Sequence, residues 1–392
     1  MFRLDLAETV LKDSQCGFRA GRSCTDQIFC VSQIIEKLFE HRTPGFLVFI
    51  DLRKAYDSVP REALWRGLEV LGTPPQLIEL IKAFHLSMSA RVRVGDTYTS
   101  TFSVNNGLRQ GCSIAPVLFN LYFLLVMEKW QEHMAQEGDS GLIVYNNING
   151  NLFNRNRSKH STNSVLDLEF ADDAVLFSLT WQKAQSALQS FVAVAASFGL
   201  TVSLIKTKYM SCGHGLSEND QRPLVVGSNS VDHVPSFVYL GSLLTPDGRT
   251  SQEIDRRIAN ASHAFGALRH VLCDAGLTLK TERLVYSACV ISVLLYGAEC
   301  WPILRRDEIR LDSFHHRCLR AMLRVSRWDQ QLEHVTNLAM RKQWRDVVLP
   351  SDIVRMKRLQ WLGHVARMPD DRLPKILFGW LPQTRPPHGP RL

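Results

Sequence analysis

VLDLEFADDAVLFSL, residues 165–179, places two apolar runs of β-forming residues on either side of two consecutive aspartates. Runs of this length around a polar pair read as a hairpin with Asp172 and Asp173 at its tip. Upstream, FLVFIDL (46–52) is another run of β-formers, short enough for a buried strand, and it leads into Asp51. A helix is expected over 61–72, from REALW to the stop at Gly72, and a longer one over Ser113–Trp130, with Ser113 as its cap and Pro116 in its first turn. Trp181–Phe198 carries Ala184, Leu188, Phe191, Val192 and Ala195 on one face and stops at Gly199; the strand-like TVSLI (201–205) follows. From 46 to 212 the order is strand, helix, strand–turn–strand, helix, strand. That is the split β-α-β-β-α-β pattern of a ferredoxin-like sheet, in which the two central strands are neighbours. Asp51 would then lie beside Asp172 and Asp173.

The flanking segments are simpler. SQCGFRAGRSCTD (14–26) precedes a helical pattern at Ile28, Val31, Ile34, Ile35 and Leu38, ended by Pro44–Gly45. ARVRVGDTYTSTFSV (90–104) alternates like a hairpin turning at Gly95–Asp96. Residues 138–164 are rich in Asn, Ser and Arg and have no period, which predicts a loop insertion. FVYLGSLL (237–244) is hairpin-like and ends at Pro246-Asp247-Gly248. Beyond 250 helical periods recur at 254–272, 281–296, 307–325 and 352–366, and the tail WLPQTRPPHGPRL (380–392) is Pro-rich and expected to be extended.

With 392 residues, 45% hydrophobic and 21% charged, the chain can bury a core across two or three domains. Its nine cysteines include no Cys-x-x-Cys pair and read as reduced thiols of an intracellular protein. His315, His316 and Cys318 lack a second ligand pair at zinc spacing and read as an ordinary helix surface. The longest apolar stretch, Ala115–Met127, is interrupted by Asn120 and too short to span a bilayer. The N-terminal MFRLDLAETVLKD has no apolar core of a targeting peptide, so cytoplasm and nucleus are the expected compartments. Of the net charge of +8, most sits in 341–392, where eleven Lys and Arg face four Asp. A basic segment of this kind suits a phosphate backbone, though it also describes a plain solvated surface.

Three aspartates at one sheet edge repel one another unless cations join them. Mg²⁺ takes carboxylate, phosphate and water oxygens, and two such ions about 4 Å apart serve phosphoryl transfer. Taken alone, ADD also reads as a polar turn; its place between apolar runs, downstream of VFID, is what points to chemistry.

These residues together resemble the reverse transcriptases of non-LTR (LINE-like) retrotransposons. FIDLRKAYDSV (49–59) is similar to that family's motif A, NNGLRQGCSIAPVLFNLYF (105–123) to motif B, FADD (170–173) to motif C, GLTVSLIKTKYM (199–210) to motif D and YLGSLL (239–244) to the primer-grip motif. QCGFRAGRSCTDQI (15–28) is similar to a finger motif, and LLYGAECW (294–301) and QWLGHVARM (360–368) to C-terminal patterns. The resemblance implies an α+β right-hand polymerase: partial fingers at 1–45, a ferredoxin-like palm at 46–248, a helical thumb-like region at 249–350 and a basic C-terminal segment at 351–392. It implies an RNA-directed DNA polymerase that adds dNTPs to a primer 3′-OH, with an RNA template, a DNA primer or target, no membrane, and two Mg²⁺ for which Mn²⁺ can substitute.

Residue by residue, Asp51, Asp172 and Asp173 would hold the metals and Lys206 would meet the departing pyrophosphate, with Lys208 a competitor. Tyr56 would be the steric gate against a 2′-OH. Gln110 and Gly111 would contact the incoming nucleotide, Arg19 and Arg22 its triphosphate, and Tyr239, Leu240 and Gly241 the primer end. Ser203 stands where motif D usually carries asparagine, only fourteen residues precede the finger motif, and neither an endonuclease pattern nor a Cys/His knuckle is read. An inactive remnant that binds nucleic acid, or an RNA-binding protein of the intron-maturase kind, are the alternative readings.

Overall fold

In this computed structural model residues 5–146, 161–274, 276–326, 328, 334–344 and 348–381 are described. The chain divides into two units, one of residues 1–235 with 369–392 and one of residues 236–368.

The first unit is organised by a four-stranded antiparallel sheet. Its strands β1 (Gly45–Ile50), β2 (Asp167–Phe170), β3 (Asp173–Ser178) and β4 (Lys208–Cys212) lie in the order β4-β1-β3-β2. This is the ferredoxin-like order expected from the element sequence. All six residues of central β1 are buried, which explains why FLVFI shows no polar alternation. Ile50 pairs with Ala174 and Gly45 with Cys212, so β1 is held on both edges.

The longer helices of this unit, among the described residues, are α1 (Cys24–Glu40), α2 (Arg61–Val70), α3 (Pro75–His85), α4 (Ala115–Gln136) and α5 (Trp181–Ser197). Helices α4 and α5 meet through Trp130, whose indole N–H donates to Ala187 O at 3.1 Å, and through the edge-on rings of Phe123 and Phe191. Full burial of side chains of this size contributes roughly 1.5–3 kcal/mol each. Gly199 ends α5 with φ +75, as its position after the apolar stripe predicted.

Several expectations need correction. Helix α4 starts at Ala115 behind Ile114, with no side-chain cap, so Ser113 does not cap it; Pro116 does sit in the first turn. TVSLI is not a strand of the sheet. Val202 makes a single bridge to Leu52, the chain turns at 204–206, and the partner of β1 is Lys208–Cys212. The region read as a loop insertion contains Leu142–Asn146 and Ser161–Val165, which pair with each other, and Trp380–Leu381 adds a third strand. Residues 147–160 and 382–392, the remainder of that insertion and of the Pro-rich tail, lie outside the described residues. The hairpin turning at Gly95–Asp96 is present as read.

The C-terminal return takes up two cations of the basic segment. Its helix Leu373–Phe378 packs on α1, with Phe378 stacked on Phe29 at 6.3 Å. Arg372 bridges Asp13 at 2.9 Å and Asp26 at 2.8 Å, and Lys375 pairs with Asp370 at 2.7 Å. Arg372 and Lys375 are thus internal ties, not part of a phosphate-binding surface.

In the second unit a hairpin of Phe237–Tyr239 and Ser242–Leu244 precedes helices α6 (Ser251–Leu272), α7 (Arg305–Met322) and α8 (Pro350–Arg367). The core between them includes Ile254, Tyr286, Leu294, Trp301 and Leu319. His315, His316 and Cys318 are buried, not on a helix surface as expected. Tyr286 Oη lies 3.0 Å from His315 Nδ1, and burial pushes that imidazole down to about 3, so it packs as a neutral ring. On α8, Arg355 pairs with Glu308 and Lys357 with Glu299, each at 2.8 Å.

Candidate active site

The antiparallel register ends at Ile50↔Ala174, so Asp51, which follows Ile50, and Asp173, which precedes Ala174, stand together at the head of the central strands. Phe170 pairs with Asp173, so Ala171 and Asp172 form a two-residue turn, and Ala171 has φ +56. Two-residue hairpin turns need such left-handed backbone, which an L-residue accepts at some cost.

The electrostatics follow from this convergence. Burial pushes the Asp172 carboxyl above the ordinary carboxylate range, and Asp51 adds to the shift. Asp173 is pushed up to about 6 by burial and by the charges of Asp172 and Asp51. It keeps an exposed edge, so solvent screens part of this effect. Asp51 Oδ1 is buried without a hydrogen-bond partner, while Oδ2 lies 3.5 Å from Lys206 Nζ. An unpaired buried carboxylate oxygen among like charges fits a divalent cation. Among the described residues no group of three or more Asp, Glu, His or Cys side chains is placed to hold a metal ion by itself. Mg²⁺ does not require one, because it fills its shell with phosphate oxygens and water.

Protonation makes this testable. Apo Asp173 has a raised folded pKa, so it opposes folding once ionised, and stability falls as pH rises from its ordinary 3.8 through about 6. Asp173→Asn is therefore expected to raise Tm at pH 7.5 but not at pH 4. Metal competes with the same protons, so the acid limb of any dNTP incorporation profile should move to lower pH as Mg²⁺ is raised. Thermal melts at the two pH values and profiles at two Mg²⁺ concentrations check both.

The other candidate residues fall in several places. Tyr56 stacks on Phe119 at 4.6 Å between centroids; its hydroxyl is buried without a hydrogen-bond partner, and burial plus the Asp172 charge push it up to about 12. Gln110 donates to Asp57 Oδ1 at 2.9 Å. Gly111 has φ +80 with open space where a Cβ would stand, room for a ligand to approach its backbone. Lys206 is 73% exposed beside Asp51, whereas Lys208 pairs with Asp232 at 2.7 Å. Arg19 is buried and donates to Glu8 and to the carbonyls of Lys12 and Gln15. Arg22 pairs with Asp13 at 2.7 Å. Both arginines are engaged within the fold rather than reaching out. In the second unit Leu240 and Gly241 form the hairpin turn with φ of 44 and 77; Tyr296 Oη donates to Leu240 O at 2.8 Å and Arg256 to Gly241 O at 3.1 Å.

Sequence reading gave no role to Gln15 or Asn120, yet both touch this site's support. Gln15 hydrogen-bonds both backbone groups of Ala171, and Asn120 Nδ2 donates to Gly17 O at 2.6 Å. The signal for Asn120 was its presence within the otherwise apolar stretch Ala115–Met127.

A ferredoxin-like sheet with carboxylates at the heads of its two central strands defines the palm of a nucleotide-polymerising enzyme. Residues 2–244 match the family described as reverse transcriptase (RNA-dependent DNA polymerase), and the chain belongs to that family. Its relatives include a transposon-derived protein of Caenorhabditis elegans, 28% identical over 225 residues, covering 56% of this chain and 78% of that one. The RNA-directed DNA polymerase from mobile element jockey of Drosophila funebris is 22% identical, over 75% of this chain and 30% of its own length. The Pol polyprotein of the type-2 retrotransposable element R2DM of Drosophila melanogaster is 24% identical, over 60% of this chain and 21% of its own. The resemblance to non-LTR retrotransposon reverse transcriptases is thus borne out, and the chain spans less than a third of those two longer relatives. Among solved structures, apo telomerase from Candida tropicalis superposes with a TM-score of 0.42 at 12% identity, over 96% of this chain and 60% of that one. Among the described residues no helix is long and apolar enough to cross a membrane.

Proposed function

We propose that this chain carries the polymerase activity of a non-LTR retrotransposon, extending a DNA primer 3′-OH with dNTPs along an RNA template. The observation that carries this reading is that Asp51, Asp172 and Asp173 lie near enough to raise one another's carboxyls, with Asp51 Oδ1 left unpartnered. Asp51 and Asp172 would hold two Mg²⁺, or Mn²⁺ in their place, and Asp173 would support them. Bound there, the ions supply activation of the attacking hydroxyl and charge neutralisation at the phosphates.

The protein's own groups account for the rest. Lys206, exposed beside Asp51, neutralises or protonates the leaving pyrophosphate. Gln110 exchanges its contact with Asp57 for the incoming nucleotide, and Gly111 lets the backbone approach it. The ring of Tyr56, braced by Phe119, excludes a ribose 2′-OH. The internal pairing of Arg19 removes it from our assignment of triphosphate contacts, and Arg22 reaches a triphosphate only by leaving Asp13. We assign the partial fingers and palm to the first unit and the primer grip (Tyr239–Gly241) and thumb-like helices to the second.

Primer extension on an RNA template of mixed sequence tests this. Wild-type chain is expected to make complementary DNA and to reject rNTPs. Tyr56→Ala should reduce discrimination against rNTPs by about ten- to a hundredfold with little loss of dNTP use. Unchanged discrimination in an active Tyr56→Ala variant contradicts the gate; products unrelated to the template contradict the polymerase assignment.

A further inference from the structure

The turn that presents Asp172 and Asp173 is gripped from outside the sheet. Gln15, which is 2% exposed, accepts from Ala171 N–H at 2.8 Å and from Gly17 N–H at 2.8 Å through Oε1. Its Nε2 donates to Ala171 O at 3.2 Å and to Glu169 Oε2 at 3.2 Å. Two donors and two lone pairs are all that a primary amide offers, and here every one is used.

The loop is itself anchored. Cys16 N–H donates to Glu169 O at 2.9 Å and Glu169 N–H to Ser14 O at 2.8 Å, so residues 14–16 run along the edge of β2. Gln27 Nε2 ties the two segments by donating to Ser14 O at 2.6 Å and Glu169 O at 2.8 Å. Gly17 is pressed against the turn: a Cβ there would stand 2.3 Å from Ala171 N. From behind, Asn120 of α4 holds Gly17 O.

We infer that Gln15 is a positioning residue for the metal-binding carboxylates: its amide fixes the left-handed Ala171 turn, and through it the placement of Asp172 and Asp173 against Asp51. Gly17 is glycine because the loop must lie against that turn, and Asn120 backs the loop. The catalytic meaning rests on the polymerase reading; the clasp on Ala171 rests on geometry alone. A residue that orients a ligand's backbone acts as an outer-shell partner does, and losing such a partner weakens metal binding by about 10- to 100-fold.

The test compares wild type, Gln15→Met and Gln15→Glu, with Asp172→Asn as control. Hydrogen exchange over residues 169–174 reads the clasp, and direct Mn²⁺ binding by EPR reads the site without turnover. Gln15→Met fills similar space without hydrogen bonds. It is expected to speed exchange at 169–174 at least tenfold over the core strands and to weaken Mn²⁺ binding about tenfold or more. With Mg²⁺ saturating, kcat should fall while the KM for dNTP changes little. Gln15→Glu keeps an acceptor for Ala171 N–H but, while ionised, has no donor for Ala171 O or Glu169, so it should regain protection only at a pH low enough to protonate it; that pH dependence, absent in wild type, serves if the Met variant does not fold. Wild-type exchange at 169–174 in a folded Gln15→Met, or unchanged Mn²⁺ affinity, overturns the inference. Wild-type protein that neither binds Mn²⁺ nor extends a primer overturns the polymerase reading instead, while the exchange data still decide the clasp.

Discussion

Asp51→Asn is expected to lower dNTP incorporation at least about a thousandfold while leaving the fold intact. A metal-held charge at a phosphoryl-transfer site is worth several kcal/mol of transition-state stabilisation. About 4 kcal/mol corresponds to roughly a thousandfold in rate. Asparagine keeps the volume and one oxygen but removes the charge. The backbone contacts at this position do not involve the side chain: Ser203 N–H donates to Asp51 O at 2.7 Å and Asp51 N–H to Thr207 Oγ1 at 3.3 Å. They survive the substitution. Removing one of three mutually repelling carboxylates also relieves the repulsion that raises Asp173. The melting temperature should therefore hold or rise while activity disappears. Loss of activity together with a lower Tm would mean that Asp51 serves the fold instead.

The second large effect is on stability and comes from the other end of the chain. Arg372→Met is expected to cost about 3–5 kcal/mol, the penalty for removing one partner of a buried ionic network. Arg372 has a side chain only 10% exposed; it forms an ion pair with Asp13 and donates a hydrogen bond to Asp26, which is 3% exposed. Burial already raises the Asp13 carboxyl, with Arg22, Arg372 and Arg19 opposing that shift. Without Arg372, Asp26 is left buried beside Asp13 with less positive charge to offset it. The return of residues 369–381 onto α1 and onto Leu142–Asn146 would loosen with it. Thermal denaturation should show a drop of roughly 10 °C for a domain of this size. Arg22→Met, at a more exposed pair, should cost less. A variant that melts like wild type would show that the C-terminal return contributes little to the first unit.

The central sheet was legible because its signals are local. VLDLEFADDAVLFSL and FLVFIDL announce strands by apolar runs, and Gly199 marks a helix end by its position. Their order then left few topologies. TVSLI was misread because β-propensity describes fit to a half-buried surface, not which segment wins a partner. The edge of β1 is taken by KYMSC, whose Cys212 pairs with Gly45. In the same way STNSV looked like loop yet pairs with LIVYN, since cross-strand partners decide. The aspartates proposed to bind metal were found through motif and topology together. Gln15 and Gly17 carry no such local signal, and Asn120 signals only that a polar group interrupts an apolar stretch: each acts on a backbone group more than a hundred residues away, and only the fold brings them together. Two of the C-terminal cations were illegible for a related reason. Net charge in a segment does not reveal that Arg372 and Lys375 are consumed by Asp13, Asp26 and Asp370.

The most direct measurement is dTTP incorporation on poly(rA)/oligo(dT) with Mg²⁺ or Mn²⁺, comparing the wild-type chain with Asp172→Asn/Asp173→Asn. Metal-dependent incorporation by the wild type and none by the double variant, both folded, is the predicted result. A folded wild type without activity, or a double variant as active as the wild type, would contradict the assignment of these carboxylates to nucleotide polymerisation.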